Sequence, residues 1–230
     1  MKTYAKAFLA AFMALSMMAC ASSEKTQEEE TAVKEETENT EAEVPEETHA
    51  EEHSSDSLII VFSRTGEQYN VGEIEKGNTM IVAEMIQNHT GADLFEILPE
   101  DDYYPYTYNE LTEVAKQEQQ DQARPVYKGD LPDLSQYSTV FIGSPVWWGD
   151  YPMLMYTVLE NNDFHSRKLV PFATSEGSGL AGMDEKLKSL FPDSEVTEGL
   201  AIRGTDAQQN REETEAKVSG WLEQLGFAHK

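Results

Sequence analysis

Apolar and polar positions follow two alternating periods along residues 57–230. "SLIIVFS" (57–63), "STVFIGS" (138–144) and "KLVPFAT" (168–174) are short apolar runs with β-branched residues. Such runs predict strands covered on both faces. "ADLFEIL" (92–98) alternates apolar with polar, as a half-covered strand does. "EVTEGLAIRG" (195–204) supplies a fifth strand. Helical spacing fills the gaps. In "NTMIVAEMIQNHTG", Ile81, Val82, Met85 and Ile86 share one face and Gly91 supplies a stop. "YNELTEVAKQEQQDQA" (108–123) is helix-prone and polar, which predicts a largely exposed helix. "PMLMYTVLE" (152–160) opens on a proline, and "AGMDEKLKSLF" (181–191) is amphipathic. The last helix, from Arg211, places Val218, Trp221, Leu222 and Leu225 on one face. The acidic and aromatic stretch 99–107, which contains a proline, reads as loop.

Five strands alternating with helices predict a parallel α/β sheet with helices on both faces. Right-handed crossovers leave few topologies, and the strand order 2-1-3-4-5 suits five strands of this length. Ligands then bind beyond the C-terminal ends of the strands, so the loops after strands 1, 3 and 4 are expected to carry the site.

The N-terminal quarter has a different character. Residues 1–20 carry Lys2 and Lys6 ahead of an apolar run that ends in Ala19-Cys20. This is the plan of an export signal. Cys20 sits where a bacterial lipoprotein signal places its acylated cysteine, although Met17 stands where such signals usually carry Leu. The expectation is a lipid-anchored, extracytoplasmic protein at the bacterial cell membrane or envelope. Cys20 is the only cysteine, so the fold contains no internal disulfide. Residues 21–56 hold 14 acids, two lysines and no aromatic residue. They cannot bury enough apolar surface to offset chain entropy, and are expected to form an acidic disordered tether. The domain proper is then 57–230, with 29 acids against 13 Lys and Arg. Such a surface makes nucleic acid a poor partner. His49 and His53 in "HAEEH" lack the H-E-x-x-H order, and no metal is expected there. His89 and His229 lie at helix ends and read as surface residues, whereas His165 precedes strand 4 at the wrong end of the sheet.

Three loops carry candidate chemistry. After strand 1, "SRTG" (63–66) and "NT" (78–79) flank a run, Glu67 to Gly77, that fits neither a phosphate turn nor a helix start. Joined, the two ends bring hydroxyls and backbone N–H groups to a helix N-terminus, which favours an anion. Gly66 permits close backbone approach, and Asn78 or Thr79 can cap the helix. After strand 3, "SPVWWGDYP" (144–152) places two adjacent tryptophans between a buried strand and a helix. Both cannot enter the core, and an exposed indole in a cleft suits a flat ligand. After strand 4, "TSEGSGLAG" (174–182) offers glycines and free N–H groups. Ser178 is no hydrolase nucleophile, because G-x-S-x-G is absent.

A phosphate at one loop and a flat ring between two others describe a mononucleotide with a wide ring system. Here the fragments "FSRTG…IEKGNT…VAEMI", "ADLFEI", "PVWWG", "EGSGL" and "GLAIRG" resemble, in order, the flavodoxin-like proteins with "FSRTGNT" after strand 1. The similarity spans nearly all of 57–226, and some members of that subgroup carry an insertion between "SRTG" and "NT". It implies a flavodoxin-like doubly wound five-stranded parallel sheet and FMN as cofactor. It implies that Ser63, Arg64, Thr65, Gly66, Asn78 and Thr79 hold the FMN phosphate. Pro145, Val146, Trp147, Trp148 and Gly149 would line the isoalloxazine, with one tryptophan stacked on it. Thr174, Glu176, Gly177, Ser178 and Gly179 would border its other edge. FMN carries the redox chemistry, so no catalytic side chain is named. The expected role is electron transfer with unnamed redox donor and acceptor. The alternatives are a two-electron, quinone-type reductase and a non-redox binding module.

Overall fold

β1 (Ser57–Phe62) is buried along its whole length in the computed structural model, which describes residues 55–227. The leader with Cys20, residues 21–54, the two histidines of "HAEEH" and His229 lie outside the described residues. Side chains of β1 divide by parity between two cores, because successive strand residues point to opposite faces. Leu58, Ile60 and Phe62 enter one core, and Ile59 and Val61 enter the other.

The chain continues through β2 (Gly66–Gln68), β3 (Gly72–Ile74), α1 (Asn78–Thr90) and β4 (Asp93–Ile97). Then come α2 (Tyr108–Asp121), β5 (Thr139–Pro145), α3 (Met153–Asn161), β6 (Lys168–Ser175) and α4 (Met183–Leu190). β7 (Glu195–Val196), β8 (Leu200–Arg203), α5 (Gly204–Gln209) and α6 (Arg211–Gln224) complete it. The main sheet runs β4-β1-β5-β6-β7, with β8 also paired to β6, and every pair in it is parallel. This is the expected 2-1-3-4-5 order. α2, α3 and α4 cover one face through Leu111, Leu154, Val158 and Leu187. α1, α5 and α6 cover the other through Ile81, Ile86, Ala207, Val218 and Leu222.

Four local features differ from the sequence reading. The fifth strand is broken in two. β7 pairs with Lys168 and Leu169, and β8 resumes at Phe172. The gap falls opposite Pro171, which has no N–H to donate to a ladder. Gly199 closes it, where a Cβ would lie 2.8 Å from the Pro171 carbonyl oxygen. Second, the run between "SRTG" and "NT" is a small antiparallel hairpin, with Gly66 opposite Ile74 and Gln68 opposite Gly72. Third, His89 is no surface residue. It is 4% exposed, and its Nε2 lies 3.3 Å from the Phe227 carbonyl oxygen. The segment after α6 folds back over the end of α1. Fourth, Ser55 and Asp56, expected in the tether, make contacts with the folded domain. Ser55 is buried, and Asp56 accepts the Ser138 hydroxyl at 3.1 Å. Among the described residues no helix is long and apolar enough to cross a membrane.

Candidate functional site

The C-terminal ends of β1, β5, β6 and β8 open into a cavity of about 420 Å³. That size falls within the range of small-molecule pockets. Its polar end gathers where α1 begins. Gly77 precedes the helix and has no side chain to cap it. Ser63 does so from the end of β1, its Oγ accepting the Met80 N–H at 3.0 Å. A Cβ on Gly77 would lie 2.1 Å from that Oγ and 2.7 Å from the Arg64 carbonyl oxygen. Glycine is therefore required for the chain to return to the end of β1. Asn78 and Thr79, expected as caps, form the first turn. The Thr79 hydroxyl shares a 2.7 Å hydrogen bond with the Thr174 hydroxyl, both buried, and ties α1 to β6. Asn78 Oδ1 accepts from Gln208 Nε2 at 2.8 Å. Gly204 lies against Asn78, and a Cβ there would sit 2.3 Å from Asn78 Nδ2. Helix α1 thus presents its positive dipole end at the cavity wall.

Glu176 faces this junction, yet its carboxylate is already engaged. It accepts the Thr205 N–H at 2.7 Å and the Thr205 hydroxyl at 2.8 Å, and Arg203 Nε lies 3.8 Å away. Glu176 thereby caps α5. The Arg64 guanidinium is similarly engaged. It donates to Asp102 at 3.1 Å and to the carbonyls of Tyr104 and Pro105 at 3.0 and 2.9 Å. Its side chain anchors the loop before α2, which is a different task from holding an anion.

The other end of the cavity is aromatic. Trp147 to Asp150 form a tight turn, with N–H to carbonyl bonds of 3.0 and 3.1 Å in both directions. Its central residues have positive φ, 50° at Trp148 and 75° at Gly149. That pairing is the pattern of a type I′ turn. Glycine adopts it freely, whereas for a tryptophan it is a strained conformation. Trp148 is held there by its indole N–H, which donates to the Thr112 carbonyl at 2.8 Å. It remains 50% exposed, with Lys116 Nζ 5.1 Å from its ring centroid. Trp147 packs edge-on against Phe62 and Tyr104, at 5.4 and 5.2 Å between centroids. Asp150 closes the turn and is gripped by Lys186 Nζ at 2.5 Å and the Tyr156 hydroxyl at 2.9 Å.

Behind Trp147 lies a buried acid. Glu118 is 8% exposed and accepts the hydroxyls of both Tyr103 and Tyr104. Burial pushes its carboxyl above the usual range, opposed by the two phenol hydrogen bonds. Burial also pushes the Tyr103 hydroxyl up to about 12, aided by the hydrogen bond to Glu118. The Tyr104 hydroxyl is raised further, mainly by burial.

Ser63, Arg64, Asn78, Thr79, Pro145, Val146, Trp147, Trp148, Gly149, Thr174, Glu176 and Ser178 all line the cavity. Thr65, Gly66, Gly177 and Gly179 are not among its lining residues. Gly66 instead opens the hairpin at φ 88°, with the Tyr106 carbonyl oxygen 2.8 Å from where a Cβ would stand. Gly177 and Gly179 turn the loop after β6, at φ 128° and 61°. The structure adds Gln68 and Tyr69 from the hairpin, Tyr108, Leu111, Thr112 and Ala115 from α2, Ser175, and Gly204. The α2 residues were detectable in principle, since 108, 111, 112 and 115 share one helical face. Their polar neighbours made that helix look exposed.

The family profile for flavodoxin matches residues 74–225. The chain belongs to the flavodoxin family. β1 and "SRTG" precede the matched segment. Among solved structures, a protein described as a flavoprotein from Bacteroides eggerthii is 29% identical over 73% of this chain and 95% of its own, with a TM-score of 0.56. One from Bacteroides uniformis is 24% identical over 73% and 97%, with a TM-score of 0.57. A flavoprotein in complex with FMN from Lactobacillus acidophilus is 23% identical over 67% and 96%, with a TM-score of 0.49. Comparison with curated proteins finds no match.

Glu118 makes a pH prediction for this family member. A carboxyl with a raised folded pKa binds its proton more tightly folded than unfolded. Its contribution to stability is then fully present below the unfolded value and falls as pH rises through the folded one. Urea unfolding from about pH 4 to 7 is expected to show a more positive slope of stability against pH in Glu118→Gln than in the wild type. A less positive slope in the variant would mean that the two phenols outweigh burial.

Proposed function

We propose that this flavodoxin-family protein binds FMN in the cavity and moves electrons at the cell envelope. The supporting observation is the cavity's polarity. An α-helix N-terminus with Ser63, Asn78 and Gly204 forms one end, and the tryptophan turn the other. The residues fit the group. Ser63, Asn78, Thr79 and Gly204 line the polar end where α1 begins, and backbone donors at a helix N-terminus suit a phosphate. Bound FMN supplies the electron chemistry. The chain binds the phosphate and presents an apolar and aromatic wall to the ring.

The leader and Cys20 support a lipid anchor, with the acidic stretch as spacer. In that setting the electron donor is a membrane component or another protein, because soluble nicotinamide cofactors are scarce outside the cytoplasm. A wild-type chain expressed with labelled fatty acid is expected to carry the label, and Cys20→Ser to lose it. An unlabelled wild type would remove the lipoprotein reading.

FMN and riboflavin differ only in the phosphate. Asn78→Ala is expected to weaken FMN by about 10- to 100-fold, the loss of a hydrogen bond to a charged group, and to leave riboflavin nearly unchanged. Equal weakening of both ligands would assign Asn78 to the fold and move the phosphate elsewhere. Thr79→Ala is a poorer probe, because the Thr79 hydroxyl already bonds Thr174.

Gly149→Ala places a Cβ on a residue at φ 75°, which costs about 1–2 kcal/mol, and is expected to lower thermal stability. Reductive titration tests the one-electron reading, and the wild type is expected to resolve two one-electron steps. A single two-electron step in the wild type would favour a quinone-type reductase.

A further inference from the structure

We propose that Tyr69, at the tip of the β2–β3 hairpin, supplies a second aromatic face to the flavin ring, across the slot from the Trp147–Asp150 turn. The inference rests on FMN binding in this cavity. The loop after β6 brings no ring to the site, since 176–182 reads "EGSGLAG". A planar ligand lying on the tryptophan turn would therefore meet no aromatic side chain from that loop. The hairpin provides what the loop lacks. Tyr69 lines the cavity while 55% exposed, so the core does not account for its position.

An isolated two-stranded hairpin is marginal in water. This one is tied to the start of α2 at several points. Glu67 N–H donates to the Tyr106 carbonyl at 3.0 Å, and the Glu67 carboxylate accepts the Tyr108 N–H at 2.9 Å. The Tyr106 hydroxyl donates to Glu73. Gln68 Nε2 donates to the Thr65 carbonyl at 3.3 Å. The Tyr69 ring then rests on Tyr108, 5.5 Å between centroids and 31° from parallel. Pre-organising a ring in this way lowers the entropy lost when it closes on a ligand.

One helix supports both aromatic groups. Tyr69 is braced at Tyr108, and Trp148 at Thr112, four residues or about 6 Å later along α2. Leu111 lies between these supports and Ala115 one turn beyond it, and both give the cavity an apolar floor. Lengthening the β1–α1 connection by a hairpin thus adds a binding wall that the loop after β6 does not provide.

Lumiflavin, the ring system without ribityl phosphate, isolates the ring contact. Tyr69→Ala is expected to raise the Kd of both lumiflavin and FMN by about tenfold, in keeping with one aromatic pair plus its buried area. Tyr69→Phe should stay within about twofold of the wild type, because a stacking face needs no hydroxyl. Backbone amide exchange across residues 67–73 should slow when lumiflavin binds the wild type. Unchanged lumiflavin affinity in Tyr69→Ala would overturn the proposal even if FMN weakened, since the hairpin would then serve only the phosphate end. Unchanged amide exchange would overturn it as well. A wild-type chain that binds neither FMN nor lumiflavin would instead remove the FMN reading itself. Tyr69 is exposed, so equal thermal unfolding of the free variants is expected and excludes misfolding as the cause.

Discussion

The chain leaves β1 at Ser63 and must return to the same place at Gly77. That closure constrains everything around the cavity. It succeeds because Gly77 has no Cβ, so Ser63 Oγ and the Arg64 backbone can occupy the space where one would be. Ser63 then satisfies the Met80 N–H that the glycine cap leaves open. The Thr79–Thr174 hydroxyl pair fixes the helix start to β6, and Gly204 lets α5 approach Asn78. One junction thereby joins three strand ends and two helix starts. Its hydrogen bonds are buried or partly buried, where an unmade bond costs more than a made one gains.

The hairpin and α2 depend on that closure and on each other. The loop before α2 is held by Arg64, whose guanidinium binds Asp102 and two carbonyls while lying 5.5 Å from the Tyr104 ring centroid. Tyr104 in turn packs on Trp147 and bonds Glu118. A buried acid, two phenols, an arginine and a tryptophan therefore form one continuous support behind the cavity. Removing either phenol would take a hydrogen-bond donor from the buried Glu118.

The whole chain has a net charge of −26, and an anion is an unexpected guest in such a field. The local arrangement resolves the conflict. Glu176, the acid nearest the polar end, is neutralised in place by Thr205 donors and the adjacent Arg203. Asp150, nearest the ring end, pairs with Lys186. The α1 dipole and backbone donors act at short range, where they outweigh surface charges screened by salt.

The sequence by itself determined the strand order, the two-faced sheet and the residues at the strand ends, because periodicity and crossover handedness are local or nearly so. Short apolar runs rich in β-branched residues and closed by turn residues mark covered strands, and glycine-rich ends mark where loops turn. It equally named both tryptophans as cavity residues. The tertiary structure alone decided which polar groups remain available to a ligand. Arg64 and Glu176 look like ligand-binding residues in a linear reading, yet their partners lie 38 to 41 and 29 positions away. Tyr69 and Tyr108 read as loop and exposed helix until the hairpin folds onto α2. The break in the fifth strand likewise depends on Pro171, a residue of the neighbouring strand. A side chain's partners are set by long-range packing, and no period along the chain records them.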